Sequence, residues 1–304
     1  MYIRPVHAEL DLPTLYAFIG QNPLGLFTTA IPHPIHPTLQ TSHIPFVLDL
    51  PDTGSAQKGM LRGHMSRANP QSKAMVDAVM MTSSSSDSRC SDSYRTNGGP
   101  SRLPSHHNVK SHIDPDPEPS LRPGSFAGND HDLGFDNTQP AYLPTEILIL
   151  FQAPTNSYLT PKFYATTKPA TGKVVPTWDY AAVQVYGRCR LHHSPTPLTS
   201  TFLSKQLNDL TIQQERLAGH DKPWAVADAP EDYVEGRKRG ILGLEIEIER
   251  CEGRFKLSQE LGDGDWEGVV AGYRGLGTLE GEMMARMVEE AGGKLGKGAG
   301  RGVQ

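Results

Sequence analysis

Apolar residues along this chain recur with two periods, and the switches between them mark out its elements. Over residues 11–21 they fall at Leu12, Leu15, Tyr16 and Ile19, the spacing of an amphipathic helix, and Asn22-Pro23 closes the segment. Strand-forming runs follow at residues 24–29, 44–50 and 60–65, separated by Pro, Gly and His-Pro turns, as in successive antiparallel strands. Asn69-Pro70-Gln71 then opens a short helix through Met75 and Val79, with Asn as cap and Pro at the first helical position. Further on, residues 178–190 alternate: Ala181, Val183 and Val185 share one face, and Trp178, Tyr180, Gln184 and Tyr186 the other. Residues 241–248 alternate likewise through Leu242, Leu244, Ile246 and Ile248. Helical spacing returns at 199–217, through Phe202, Leu203, Leu207, Leu210 and Leu217, and at 231–239 and 279–291.

Two regions depart from these patterns. Residues 81–140 turn to Ser, Asp, Asn, Gly, Pro and His, a composition with too little apolar surface to offset the entropy of ordering, so a disordered low-complexity insertion is expected there. Directly after it, Glu146-Ile147-Leu148-Ile149-Leu150-Phe151 is an unbroken apolar run, the pattern of a central strand whose two sides must both be covered. One domain built from 1–80 and 141–262 is therefore expected, with 195–262 a helix and strand extension and 263–304 a helical tail with a frayed Gly/Lys end. Strand and helix do not alternate regularly and no blade repeats, so the fold class is mainly β with flanking helices (α+β), a small barrel.

Composition narrows the setting. Hydrophobic residues make up 37% and charged residues 21% of the 304, and no window approaches the roughly 18 apolar residues of a membrane span. Met1-Tyr2-Ile3-Arg4-Pro5 has no apolar export segment, so a cytoplasmic location is expected. Cys90, Cys189 and Cys251 are odd in number and widely spaced, which reads as buried or incidental thiols. A net charge of −5 makes direct nucleic-acid binding doubtful, and Arg237-Lys238-Arg239 reads as the solvated end of a short helix.

Chemistry concentrates in two stretches. In Leu61-Arg62-Gly63-His64-Met65-Ser66-Arg67-Ala68-Asn69, a strand would present Arg62, His64 and Ser66 on one face and Leu61 and Met65 on the other. In Gly172-Lys173-Val174-Val175-Pro176-Thr177-Trp178-Asp179-Tyr180, a cation and a hydroxyl stand beside two aromatics. Cations and hydroxyls suit a phosphate and flat side chains suit a ring, so together they suit an anionic, planar ligand. Lys256-Leu257-Ser258-Gln259 repeats the mixture more weakly. His33 and His36 lack a Cys or acidic partner for a metal set and read as a proline-rich loop, and Gly275-Leu276-Gly277 lacks the Lys-Ser/Thr of a phosphate loop and reads as a linker.

The strings Phe151-Gln152-Ala153-Pro154, Tyr158-Leu159-Thr160-Pro161, the 172–180 stretch, Tyr186-Gly187-Arg188, Pro223-Trp224-Ala225-Val226 and Gly253-Arg254-Phe255-Lys256-Leu257-Ser258-Gln259, with the 61–70 stretch, resemble the PaiB family, described as FMN-binding transcriptional regulators. The resemblance spans nearly everything but the insertion and the tail. It implies an FMN-binding split β-barrel, usually a homodimer with FMN at the subunit interface. The residues then expected at the cofactor are Arg62, His64, Ser66, Arg67, Lys173 and Thr177 for the phosphate end, Trp178 and Tyr180 for the ring, and Asn69 beside them. A PaiB-type transcriptional regulator or flavin-dependent sensor follows; the alternatives are an FMN-dependent oxidoreductase and a haem-binding split barrel. One departure stands out: the family usually carries Asn where this chain has Asp179, which is expected to face away from Trp178, Tyr180 and the phosphate.

Overall fold

The computed structural model describes residues 2–52, 54, 56–85 and 140–296. The elements are β1 (Ala8–Glu9), α1 (Leu12–Gln21), β2 (Leu24–Ala30), β3 (Leu39–Pro45), β4 (Val47–Asp49), β5 (Met60–Ser66), α2 (Pro70–Ser85), β6 (Ala141–Tyr142), β7 (Ile147–Gln152), β8 (Ser157–Leu159), α3 (Thr167–Thr171), β9 (Thr177–His192), α4 (Pro197–Ala218), α5 (Glu231–Arg239), β10 (Ile241–Lys256), α6 (Asp263–Arg274) and α7 (Leu279–Gly293). The expected insertion lies outside the described residues apart from its first five, which continue α2, and Pro140; the expected frayed end, from residue 297, lies outside them too.

The strands run β3-β2-β7-β9-β10-β5-β4, every pairing antiparallel, with β1 joined to β10 and β6 and β8 to β9. β9 and β10, 16 residues each, are the spine. Their ladder shifts register between Ile248 and Arg250, and close by Gly187 passes so near the Glu247 carbonyl that a Cβ there would sit 2.1 Å from the oxygen. A bulge of this kind bends the strand carrying it and helps curl the sheet. The result is a mainly antiparallel β half-barrel with flanking helices. Its concave side buries Phe27, Leu61, Ile149, Phe151, Val185 and Leu244 against Leu15 and Ile19 of α1 and Met75 and Val79 of α2. Each such side chain contributes roughly 1.5–3 kcal/mol by leaving water. A second core joins the α6–α7 hairpin to the end of the barrel through Trp266, Val269, Tyr273, Met284, Leu159 and Leu257.

The convex side is covered unevenly. Over β5 and β10 lies α4, where Gly243 leaves the space that Phe202 fills as its ring stacks on His192 at 3.8 Å. Over β2, β7 and the middle of β9, Leu26, Thr28, Leu148, Leu150 and Tyr186 are only half-buried. The apolar run at 146–151 is thus a central strand, as expected, but the chain itself fully covers one of its sides: Ile147, Ile149 and Phe151 are buried, while Leu148 and Leu150 are not.

Three sequence expectations change. The single strand at 44–50 is two elements, β3 and β4, because Pro45 has no N–H for a ladder and Phe46 instead donates to the Pro23 carbonyl at 2.9 Å. Lys238 is not solvated: it is buried, and its ammonium binds Ser200 and Ser204 of α4 and Glu235. His33 staples its proline-rich loop, with Asp77 3.0 Å from Nε2 while Nδ1 accepts from the backbone N–H groups of Ile35 and His36. Among the described residues no group of His, Cys, Asp and Glu could hold a metal, and no helix is long and apolar enough to cross a membrane.

Candidate functional site

β5 presents its residues as the alternation requires. Leu61 and Met65 enter the core, and Arg62 and His64 point to the opposite face, under α4. There neither is free to neutralise a phosphate. The Arg62 guanidinium is buried and held by Asp49 at 2.5 and 2.8 Å, by Asp209 of α4 at 2.7 Å, and by Gln206 at 3.4 Å. Burial alone would lower its pKa, but the two carboxylates outweigh that and hold the cation above its ordinary range. Burial also pushes His64 below the usual imidazole value, so at neutral pH it is uncharged and cannot neutralise a phosphate. Its Nδ1 is buried without a partner.

Arg67 differs. It sits in the turn that carries β5 into α2, half-buried, and its guanidinium donates to the His193 carbonyl at 2.6 Å. No carboxylate among the described residues pairs with it, and burial lowers its pKa. A partly desolvated cation without a counter-ion is a strong anion ligand. Its neighbours frame the turn: Ser66 is exposed, its hydroxyl accepting from the Ala68 N–H at 3.2 Å. Asn69 caps α2 by accepting from Gln71 N–H at 2.8 Å and donates to Ser42 at 3.0 Å. Gln71 reaches the Phe27 and Gln40 carbonyls and the Thr29 hydroxyl, fixing the α2 N-terminus, the favourable end of a helix dipole for an anion, against β2 and β3.

The second stretch lies elsewhere. Lys173 is exposed in the loop after α3, and Thr177 begins β9 opposite Leu159. Trp178 is 48% exposed, donates to Asn156 at 2.9 Å and meets Tyr158 edge to face. Tyr180 lies under the Arg254 guanidinium. Through Glu245 of β10, Arg62 is level with Arg190, whereas Tyr180 pairs with Lys256. The ten residue steps along β9 from Tyr180 to Arg190, at about 3.3 Å each, put the two stretches on the order of 30 Å apart along the sheet. One chain therefore does not bring them together on one flavin.

Asp179 faces inward, away from Trp178 and Tyr180, and is fully buried. Ser258 donates to both of its oxygens at 3.0 and 2.9 Å, Tyr273 of α6 donates at 2.9 Å, and Lys256 stands 4.0 Å off. Burial pushes its pKa up to about 6, although the two hydroxyls and Lys256 pull the other way. Ser258 takes a left-handed backbone, φ 59°, to reach it. At the other end of the ladder, Glu245 binds His192 at 2.9 Å and Arg190 at 3.3 Å, while Tyr142 bridges Arg190 and Glu247. Sequence reasoning did not find Asp49, Asp209, Glu245 or Tyr273, because each acts on a residue remote in sequence or on another strand; Ser258 was noted within the 256–259 stretch, but not as a partner of Asp179.

A half-barrel with a cation lacking a carboxylate partner at a surface turn has the chemistry to take an anionic ligand, and the comparisons with known proteins give the family. Residues 1–116 and 130–250 match the family model described as "Putative FMN-binding domain", and the chain belongs to that family. FMN is the cofactor this membership assigns. The chain is 42% identical over 296 residues to the uncharacterized protein AN0679 of Emericella nidulans, covering 96% of this chain and 98% of that one. It is also 25% identical over 146 residues to the protease synthase and sporulation protein PAI 2 of Bacillus subtilis, covering 48% of this chain and 63% of that one, so the resemblance to PaiB holds. Among solved structures, the flavocytochrome Anf3 from Azotobacter vinelandii is 9% identical with a TM-score of 0.37 over 84% of this chain and 72% of that one. Rv2991 from Mycobacterium tuberculosis is 8% identical with a TM-score of 0.39 over 86% and 94%. Both likenesses are too low to carry an argument.

Among the described residues, those that fit the phosphate end of FMN are in the Ser66–Arg67 turn: a cation without a carboxylate partner and an exposed hydroxyl, adjacent in sequence and leading into the N-terminus of α2. Arg62 does not fit as a direct ligand, since binding a phosphate would require breaking two ion pairs. It instead ties α4 to the sheet beside the turn.

Proposed function

We propose that two copies of the chain hold FMN between them, and that the protein serves as a flavin-dependent sensor in transcriptional control of the PaiB type. Ser66 and Arg67 of one copy take the phosphate, and Lys173, Thr177, Trp178 and Tyr180 of the other approach the rest of the nucleotide. The observation that carries this reading is Arg67, half-buried without a carboxylate at an exposed turn. The second copy is favoured by the half-exposed Leu26, Leu148 and Leu150, an apolar face that the described residues leave partly uncovered. Bound flavin supplies electron transfer; Arg67 fixes and neutralises the phosphate, and the aromatic pair presents flat apolar surface. Direct nucleic-acid contact is no part of the proposal, in keeping with the net charge of −5. A cytoplasmic setting suits Cys189 and Cys251, buried free thiols.

The test is the visible spectrum of the purified protein. A yellow product, or one that takes up FMN at one per chain and runs as a dimer, supports the reading. Colourless protein that takes up no FMN overturns it, and a Soret band would point to haem. Reduction of bound flavin by a nicotinamide cofactor with multiple turnovers on an acceptor would favour an oxidoreductase over a sensor.

A further inference from the structure

The arginines of β9 and β10 on the convex side of the sheet are matched, with one exception. Arg188 reaches Glu247 at 2.9 Å, Arg190 reaches Glu245 at 3.3 Å and Arg250 reaches Glu252 at 3.4 Å. Arg254 has no carboxylate partner among the described residues, and it is not among the residues expected at the flavin. Its register position, opposite Ala182 of β9, puts it on the face of Trp178 and Tyr180. There its guanidinium lies over the Tyr180 ring, 5.5 Å from the centroid, close enough for a cation–π contact. Nη1 donates to the Tyr2 carbonyl at 3.0 Å, and Nε is buried without a partner. Nη2 is neither buried nor hydrogen-bonded among the described residues, so its N–H groups remain for a ligand.

The other cation at this end is taken. Lys256, opposite Tyr180 in the ladder, donates to the Trp178 carbonyl at 2.8 Å and stands 4.0 Å from Asp179. A half-buried cation fixed in place without a counter-ion stabilises negative charge that develops beside it. A flavin ring develops such charge. Its two-electron reduction takes two electrons from an external donor, such as a nicotinamide cofactor or dithionite, and one proton, which goes to N5; the remaining charge is shared by N1 and the C2 carbonyl. The oxidised ring is neutral, so a cation here distinguishes the two states where aromatic surface does not.

We propose that Arg254 sets the redox preference of the bound flavin, its Nη2 donating to the N1–C2 carbonyl edge of the ring and holding the reduced form more tightly than the oxidised one. The inference rests on the reading of Trp178 and Tyr180 as the ring end, and Arg254 belongs to the same copy as that pair. The test loads the full chain with FMN and measures the two-electron midpoint potential at pH 7.5 for the unaltered protein, Arg254→Gln and Arg254→Lys. Arg254→Gln should lose about tenfold of the preference for reduced flavin, a fall of about 30 mV, while Arg254→Lys keeps most of it. A potential that is unchanged or higher in Arg254→Gln, or a fall in Arg254→Lys as large as in Arg254→Gln, would overturn the proposal and leave the ring reading intact. Loss of FMN uptake from Arg254→Gln would place the charge at the phosphate instead and overturn it too. Failure of the unaltered protein to take up FMN would remove the ring reading and this inference with it.

Discussion

The two ends of the β9–β10 ladder handle charge in opposite ways. Arg62, Arg190 and His192 each have a carboxylate within reach, from Asp49, Asp209 or Glu245, and Arg67, with no carboxylate partner among the described residues, lies just beyond at the turn into α2. Around Asp179, a carboxylate is buried with two hydroxyls and one ammonium at 4.0 Å for company. An unmatched charge at a surface turn can be satisfied by a ligand. An unmatched charge in a core can only be tolerated or neutralised by a proton. One end is therefore suited to binding, and the other couples folding to pH.

Removing the matched cation should have the largest effect. Arg62→Ala leaves Asp49 and Asp209 facing each other beneath α4, and breaking a buried pair typically costs about 3–5 kcal/mol. The lower end, about 3 kcal/mol, is expected because Asp49 and Asp209 are 41% and 32% exposed and regain water. Denaturant unfolding followed by circular dichroism would read this as a lower midpoint, and an unchanged midpoint would show that the ion pairs do not anchor α4.

Asp179→Asn should act in the opposite direction. With a folded pKa of about 6 against an ordinary value of 3.8, the carboxylate penalises folding as pH rises from about 4 to 6 and by a constant amount above that. Two units correspond to on the order of 3 kcal/mol, and reorienting the hydroxyls to meet the amide N–H groups offsets part of it. A gain of about 2 kcal/mol at pH 7.5, or about 4–8 °C in Tm, is expected, vanishing at pH 4. A gain equal at both pH values would mean that the carboxylate's charge is not the cause.

This contrast was only partly legible in the sequence. Alternation at 178–190 and 241–248 located the spine because one side of each strand is core, and period-2 patterning is what one-sided burial writes into a chain. The 61–67 stretch was found as chemistry, and its side-chain directions followed from the pleat. What alternation cannot carry is pairing: nothing local to Arg62 reveals Asp209, 147 residues away, and so nothing showed that Arg62 is spent and Arg67 is not. The same blindness put Lys173 and Trp178 with Arg62 in one imagined site, since separation along a sheet depends on which strands neighbour β9. Asp179 does face away from Trp178 and Tyr180, as expected of a carboxylate that would repel a phosphate, but its partners Ser258 and Tyr273 come from elements whose packing no periodicity reports.

Removing the unmatched cation should spare the fold. Arg67→Ala loses one bond to a carbonyl, so stability should change by less than about 1 kcal/mol. FMN affinity should fall about 30-fold, the worth of one charge-assisted contact. Fluorescence titration against flavin would measure it. Normal affinity in Arg67→Ala would remove the phosphate from this turn and break the contrast with Arg62.

The subtlest prediction concerns the separation of Arg67 from Trp178, which lie beyond the two positions, Arg62 and Tyr180, that are themselves about 30 Å apart along the sheet. If each flavin draws its phosphate contact from one copy and its ring contact from the other, Arg67→Ala and Trp178→Ala each weaken both sites of a homodimer. In a mixed dimer, one site then receives both lesions and the other receives neither, because the native Arg67 of the second copy faces the native Trp178 of the first. Tandem-tagged purification of that mixture should recover half the FMN stoichiometry of the unaltered dimer at undiminished affinity. If instead both residues served a flavin on their own chain, every site would carry one lesion and no native-affinity fraction would appear. The measurement is decisive only with Trp178→Ala weakened as a homodimer, since an aromatic that takes no part would also leave one intact site.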